Sequence, residues 1–299
     1  MRAPLGIAII AIITLVVSGS SASADPVNLG LFAPSAPFPS NATRVELASR
    51  LGEHVAKALG GTGMGRVYVR ASDFATAVKK GEITVALVDA AYLAGSGGYT
   101  VIAGSVHGGE TNQSWQLVAR GGGKLADLKG KRVLVPSNGG HETDFVLNVM
   151  LGGEVPRDFF AKIEAAPDTA SAMAALGLGK ADAAMVPTGV DLPAGVSAVL
   201  GLPAVAGPVL VAYGTLSAQQ RTALSAAAAS FKGDATIGGF RAGDADAVRA
   251  IQRRFSVATK RGPLAVPGVR LVVGDLVEGR TFAIERTPAT TFAIAPAAR

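Results

Sequence analysis

The sequence has 299 residues, of which 49% are apolar and none is cysteine, and it carries a formal net charge of +6. The absence of cysteine excludes disulfides, thiolate metal sites, thiol nucleophiles and lipid attachment through an amino-terminal cysteine. The basic excess is modest and forms no long run interleaved with stacking aromatics, so the composition argues against nucleic-acid binding.

The amino terminus has the pattern of a secretory signal peptide. Met1 and Arg2 precede an apolar run from Leu5 to Val17, and small residues then end in an A-x-A cleavage pattern. The run is shorter than the roughly 20 residues that span a bilayer, which favours a cleaved signal over a membrane anchor. We therefore expect residues 1–24 to be removed and the mature protein, starting near Asp25, to be free in the periplasm.

From residue 25 onward the chain alternates strands and helices, the pattern of a mainly parallel sheet with helices on both faces. The series continues as far as three consecutive glycines, Gly121–Gly123. Since three glycines are unfavourable inside any regular element, we predict that the chain first crosses into a second lobe there. The predicted segments are a first lobe over 25–120, a second lobe over 121–208, a return to the first lobe over 209–261 and a carboxy-terminal extension over 262–299.

Capping residues and prolines mark the later elements. Asp168 or Thr169 is predicted to cap a helix in the second lobe, and Ser217 to cap an alanine-rich helix after the return. The apolar stretch 202–212 contains two prolines and suits a strand pair that carries the chain back to the first lobe. Past residue 262 only short β-like runs can be read.

Three motifs occur in a characteristic order and spacing: GEITVALVDAAY at Gly81–Tyr92, ADLKGKRVLVPS at Ala126–Ser137 and LGKADAAMV at Leu178–Val186. They resemble segments of type II periplasmic solute-binding proteins, and the chain is most similar to the phosphate-, phosphite- and phosphonate-binding group over roughly 27–255. The resemblance implies an α/β fold of two Rossmann-like lobes joined by two crossing strands. It also implies a small ligand closed between the lobes and delivered to the permease of an ABC transporter.

Candidate ligand contacts lie in loops beyond the carboxyl ends of the predicted strands, where open parallel sheets bind their ligands. The loop 137–143 combines glycines, exposed N–H groups and a helix start, which favour an anion. Asp89 and Tyr92 lie at a strand end that matches a site position of the resembled family. A phosphate- or phosphonate-like anion is therefore the expected ligand. The candidate contacts are Ser35, Asp89, Tyr92, Ser137, Asn138, Gly139, His141, Thr143 and Thr188.

Each candidate also has a purely structural interpretation. The loop 137–143 is equally consistent with simple helix capping, Asp89 with a helix cap and Tyr92 with a half-buried ring, and we interpret Trp115 as a packing residue. In the resembled group an acidic or hydroxyl residue usually follows the strand after which Thr188 stands here. Because Thr188 offers a hydroxyl and no carboxylate, no particular phosphonate is expected.

The residues give little support for catalysis. His54, His107 and His141 lack metal-ligand spacing, and the chain has neither a G-x-S-x-G nucleophile elbow nor a P-loop lysine. His107 with Glu110 forms the one acid/base pair worth testing. We predict a binding protein without a cofactor, monomeric because a closing cleft needs free lobes. A ligand-sensing or partner-docking module is the alternative, since it uses the same lobe closure.

Overall fold

The structure, a computed structural model, describes residues 27–257, with side-chain surroundings up to Phe255. The predicted signal peptide (1–24) and the predicted extension (262–299) lie outside the described residues. No helix within 27–257 combines the length and the apolar character needed to cross a membrane.

Strands and helices alternate along most of the described chain. The strands are β1 (Val27–Phe32), β2 (Gly63–Val67), β3 (Val85–Asp89), β4 (Tyr99–Val106), β5 (Asn112–Arg120), β6 (Arg132–Pro136), β7 (Lys162–Ala166), β8 (Ala183–Pro187), β9 (Val196–Ala206), β10 (Pro208–Tyr213) and β11 (Gly239–Ala242). The helices are α1 (Asn41–Ala58), α2 (Ala71–Lys79), α3 (Ala90–Ala94), α4 (Glu142–Asp144), which continues as a π-helix over Phe145–Met150, α5 (Thr169–Gly177), α6 (Ala218–Ser230) and α7 (Ala245–Val257).

Two sheets form the centres of two lobes. The first sheet has the strand order β11-β4-β10-β3-β1-β2, with β1 parallel to both β2 and β3. The second has the order β7-β6-β8-β5-β9, with β6 parallel to β7 and β8. β3 and β8 are buried at every position, as expected of central strands covered on both faces. The predicted two-lobed α/β fold is confirmed.

The first crossing between the sheets lies one strand earlier than predicted. β4 belongs to the first sheet and β5 to the second, so the chain crosses at 107–111, where Gly108 and Gly109 have φ values of 57° and 89°. Gly121–Gly123, the predicted crossing, form a turn inside the second lobe, where the Gly121 N–H donates to the carbonyl of Gly195 at 2.8 Å. Both segments need positive φ, so glycine content does not distinguish a turn from a crossing.

The return crossing lies between β9 and β10, and the predicted boundary lies between residues 208 and 209. β9 ends the second sheet, Gly207 follows, and β10 joins the first sheet from Pro208. The predicted helix caps are also present. The carboxylate of Asp168 accepts from the Ser171 N–H at 2.8 Å, and the Ser217 hydroxyl accepts from the Gln220 N–H at 3.1 Å. Short polar side chains thus begin α5 and α6 as the sequence indicates.

Helix α7 was assigned to the first lobe but packs on both lobes. It contacts α3 of the first lobe and the π-helix of the second. Arg254 donates to the Val149 carbonyl at 3.2 Å, and Asn148 donates to the Phe255 carbonyl at 3.3 Å. One apolar cluster therefore runs through both lobes and includes Phe32, Phe74, Trp115, Phe145 and Val248.

Candidate functional site

The carboxyl ends of β1 and β3 bring Ser35 and Asp89 together. The Ser35 N–H donates to one carboxylate oxygen of Asp89 at 2.7 Å, and the Ser35 hydroxyl bonds the other at 2.8 Å. Asp89 immediately precedes α3, but its side chain makes no capping bond to that helix. The helix-cap interpretation of Asp89 is therefore wrong, and its carboxyl group belongs to a polar cluster between the lobes.

Gln113, at the start of β5 in the second lobe, completes this cluster. Its side-chain oxygen lies 3.2 Å from the Ser35 hydroxyl, and all three side chains are buried. Burial raises the pKa of Asp89 to about 7, against the opposing effects of the two Ser35 hydrogen bonds and the charge of Arg44. A buried carboxyl group that changes charge near neutral pH is typical of a functional site.

A second group of contacts joins the lobes beside this cluster. Arg44 of α1 forms an ion pair with Asp168 at 2.8 Å, and both side chains are largely shielded from solvent. The Thr169 N–H donates to the Pro34 carbonyl at 3.0 Å, and its hydroxyl donates to the Ser35 carbonyl at 3.1 Å. The start of α5 is thereby fixed to the loop after β1. Burial raises the pKa of Asp168, but hydrogen bonds from Ser171 and Arg44 outweigh it and leave that pKa below its usual value.

The loop that was predicted to bind an anion is occupied by a carboxylate of the protein itself. One oxygen of Glu142 accepts from the N–H groups of Asn138 at 3.0 Å and Gly140 at 3.2 Å. The Ser137 N–H donates to the Ala166 carbonyl at 2.8 Å. α4 has only three residues before the chain continues as a π-helix. In this conformation the loop presents a negative charge where the sequence suggested an anion site.

Two other residues of the loop touch the first lobe. Gly139 has a φ of 83°, and a Cβ atom there would lie 2.7 Å from the Tyr92 ring. The His141 ring stacks on Phe255 with centroids 5.3 Å apart and also lies against Gly95. The loop therefore forms part of the contact between the lobes.

Two buried polar side chains of the second lobe have unsatisfied atoms. Asn138 is 2% exposed, and neither its amide nitrogen nor its carbonyl oxygen has a hydrogen-bond partner. Trp115 is 3% exposed, and its indole nitrogen also lacks a partner. Trp115 was interpreted as a packing residue, and it does pack on Phe145, but its N–H is a missed candidate donor. Buried polar atoms are normally paired, so these groups indicate a place for a polar ligand or water.

The remaining predicted contacts differ in burial. Tyr92 is half-buried against Phe32 and Phe74, with ring centroids 5.0 and 5.6 Å apart, and burial raises its pKa. Thr143 is half-buried, whereas Thr188 is exposed beyond β8, with its N–H donating to the Ser114 carbonyl at 2.9 Å. The structure thus brings together Ser35 and Asp89 most closely and does not bring Thr188 into the buried cluster.

His107 lies at the first crossing and not in the cleft cluster. Its Nδ1 atom is 2.8 Å from the Thr236 carbonyl, and the ring borders a cavity of about 10 Å³ that Glu110 and Gln113 also line. Such a cavity holds about one water molecule. Within residues 27–257 no group of three histidine or acidic side chains is arranged to hold a metal ion.

The sequence matches no family model and no curated protein, whereas several solved structures share its fold. PhnD1 from Prochlorococcus marinus in complex with methylphosphonate is 13% identical, with a TM-score of 0.59 over 76% of this chain and 96% of that one. The binding protein component of an ABC phosphonate transporter from Pseudomonas aeruginosa is 14% identical, with a TM-score of 0.60 over 79% of this chain and 90% of that one. XAC2383 from Xanthomonas citri bound to ATP is 12% identical, with a TM-score of 0.60 over 78% and 98% of the two chains. The chain therefore has the two-lobed fold of these binding proteins, as the resemblance in its sequence predicted.

Proposed function

We propose that the protein is an extracytoplasmic solute-binding protein that closes its two lobes around a small molecule for an ABC importer and catalyses no reaction. The carrying observation is the cluster at the lobe junction, in which Ser35 and Asp89 of the first lobe meet Gln113 of the second. Such a junction, at the carboxyl ends of strands, is where open α/β sheets bind ligands. The buried Asn138 and Trp115 side chains of the second lobe add two unpaired donors and an unpaired acceptor, with Trp115 two residues from Gln113 along β5.

The contacts between the lobes support closure as the binding mechanism. Beside the apolar packing that the lobes share, they include the Arg44–Asp168 ion pair and the bonds of Thr169 to the loop after β1, which form only when these two surfaces meet. A ligand that binds the closed form better than the open form shifts the population toward closure. Transport by a permease and location in the periplasm are part of the proposal, supported by the predicted signal peptide and by the fold.

The side chains of the cleft bear on whether the ligand is an anion. Methylphosphonate is the ligand of one structural neighbour, but at 13% identity the likeness extends to the fold alone. The Glu142 carboxylate already occupies N–H groups of the loop expected to bind an anion, and Arg44 is paired with Asp168. We therefore derive the ligand class from the charges of this cleft.

A pair of spectroscopic labels tests the proposed closure. The chain has no cysteine, so Val45→Cys in α1 and Leu178→Cys after α5 create one labelling site on each lobe; these side chains are 45% and 72% exposed. A small-molecule ligand should narrow the distance distribution between the labels, and it should raise the melting temperature by mass action. A protein that changes neither property across anionic, cationic and neutral solutes does not act by solute capture.

A further inference from the structure

The polar cluster at the lobe junction contains one hydrogen-bond donor too few. The Ser35 hydroxyl has a single proton but two acceptors, an Asp89 oxygen at 2.8 Å and the Gln113 oxygen at 3.2 Å. An ionised Asp89 therefore competes with Gln113 for this proton. Gln113 lies on β5 of the second lobe and Ser35 and Asp89 belong to the first, so separation of the lobes would part them and leave room for another donor at the lone pairs of Asp89. A donor supplied by a ligand would satisfy the cluster in the closed form.

The carboxyl group of Asp89 is itself the feature that favours a cationic donor. The charge that acts on it from α1 is Arg44, the one buried cation among the described residues, which is bound to Asp168 through one guanidinium nitrogen and has an unpaired Nε atom. Ser35, from the loop after β1, and Gln113, from β5, are neutral. In the second lobe, Glu142 at the start of α4 adds a carboxylate that accepts from the Asn138 and Gly140 N–H groups. An anion beside Asp89 would be repelled by that group once it is ionised, whereas an ammonium group would find in it a buried partner.

The second lobe supplies the complementary groups. The Trp115 indole N–H and the Asn138 amide nitrogen are donors without acceptors, and the Asn138 oxygen is an acceptor without a donor. Trp115 lies two residues from Gln113 along β5, and Asn138 adjoins Gly139, which packs against Tyr92 of the first lobe. A ligand between the lobes therefore needs an acceptor group for the second lobe as well as a donor for the first.

We propose, on the basis of the proposed solute-binding function, that the cleft takes a small solute with a protonated amine and a hydrogen-bond acceptor, such as a zwitterion or an amino alcohol. The Asp89 carboxylate binds the amine, and Trp115 and Asn138 donate to the acceptor. Binding requires Asp89 to be ionised, so the solute displaces a proton from it. The predicted preference is the reverse of that of a phosphonate site.

Matched pairs of probes test this ligand class. Isothermal titration of the mature protein with glycine and acetate, and with ethanolamine and ethanol, compares ligands with and without the amine. Methylphosphonate and inorganic phosphate serve as the anionic arm. We expect an amine probe to bind at least tenfold more tightly than its amine-free partner. Because the pKa of Asp89 lies at about 7, amine affinity should be about tenfold higher at pH 8 than at pH 6, with proton release.

Two variants test whether amine binding depends on Asp89. Asp89→Asn keeps the size of the side chain and removes its charge, so it should abolish amine binding and its pH dependence. Asp73→Asn removes an exposed charge from the first turn of α2 and should leave both unchanged. Amine binding that persists in Asp89→Asn overturns the proposal.

The remaining outcomes distinguish failure of the proposed ligand class from failure of the proposed solute-binding function. Binding of methylphosphonate or phosphate alone, tighter at pH 6 than at pH 8 and accompanied by proton uptake, overturns the amine proposal and leaves solute binding intact. A folded protein that binds no probe of either arm and shows no change in label distance counts against solute binding and the amine proposal together.

Discussion

Replacing Asp89 with asparagine should change how the stability of the protein depends on pH. In the folded protein burial raises the pKa of Asp89 from 3.8 to about 7, whereas the unfolded chain has the ordinary value. The folded state thus retains a proton between about pH 4 and pH 7 that the unfolded state has lost. The stabilising contribution is fully present below pH 4 and is lost as the pH rises through 7.

The size of the effect follows from the shift. A difference of about three pKa units corresponds to about 4 kcal/mol, since each unit is worth about 1.4 kcal/mol. Asp89→Asn keeps the carbonyl acceptor for the Ser35 N–H and does not ionise, so it resembles the protonated form. Relative to this variant, the wild type should lose up to about 4 kcal/mol of unfolding free energy between pH 4 and pH 8.

Urea unfolding followed by the fluorescence of Trp115, the one tryptophan of the chain, measures this difference. Other carboxyl groups, such as Asp168 with its lowered pKa, titrate in both proteins and cancel in the comparison. We expect the two proteins to be similar at pH 4 and the variant to be the more stable at pH 8. A stability difference that is constant from pH 4 to pH 8 would refute the raised pKa and the burial argument behind it.

Three further substitutions test the lobe contacts and a helix cap. Gly139→Ala should widen the distance between labels on the two lobes, because its Cβ would lie 2.7 Å from the Tyr92 ring. Gly140→Ala, the control, is also at positive φ but has open space around it and should not change that distance. Equal widening in both variants would contradict the contact between Gly139 and Tyr92. Arg44→Ala should lower the free energy of unfolding, measured by thermal unfolding, by about 3 kcal/mol, because it breaks the buried pair with Asp168. Arg50→Ala breaks a more exposed pair with Asp234 inside the first lobe and should lower it by less than about 1 kcal/mol. Similar losses in the two variants would show that burial of the Arg44–Asp168 pair is unimportant. Ser217→Ala removes the cap of α6 and should lower the free energy of unfolding by about 1 kcal/mol while leaving ligand affinity unchanged. An unchanged free energy of unfolding would show that the cap does not stabilise the protein.

Local patterns in the sequence predicted much of the fold. The caps Asp168 and Ser217 act on N–H groups three residues ahead, so their role is visible in a short window of sequence. The first crossing was misplaced because Gly108–Gly109 and Gly121–Gly123 share the same signal, positive φ, and only strand pairing separates them. Sheet membership depends on partners far along the chain, which a single sequence does not reveal.

The candidate site was predicted less completely, because its contacts join residues that are far apart along the chain. Ser35 and Asp89 were found because each lies at or just beyond the carboxyl end of a strand, although the contact between them spans 54 positions. Arg44 and Gln113 were missed, since Arg44 meets Asp168 across 124 positions and Gln113 meets Ser35 across 78. Neither Arg44 nor Gln113 is part of a local sequence pattern that predicts a contact between the lobes. Local sequence patterns also did not predict that the Glu142 carboxylate accepts hydrogen bonds from the N–H groups of the loop 137–143.

The fold alone does not determine the ligand, which depends on the side chains of the cleft. Backbone architecture places loops and strand ends at the lobe junction, and this much is shared with proteins only 12–14% identical to the chain. The sign of the charge in the cleft depends on a few side chains that such divergence leaves free to change. Here those side chains are Asp89, Glu142 and an Arg44 already paired with Asp168. An anion would find donors in the Trp115 and Asn138 side chains but only an Arg44 that is shared with Asp168 as a counter-charge, whereas an ammonium group would gain a buried carboxylate once Asp89 releases its proton.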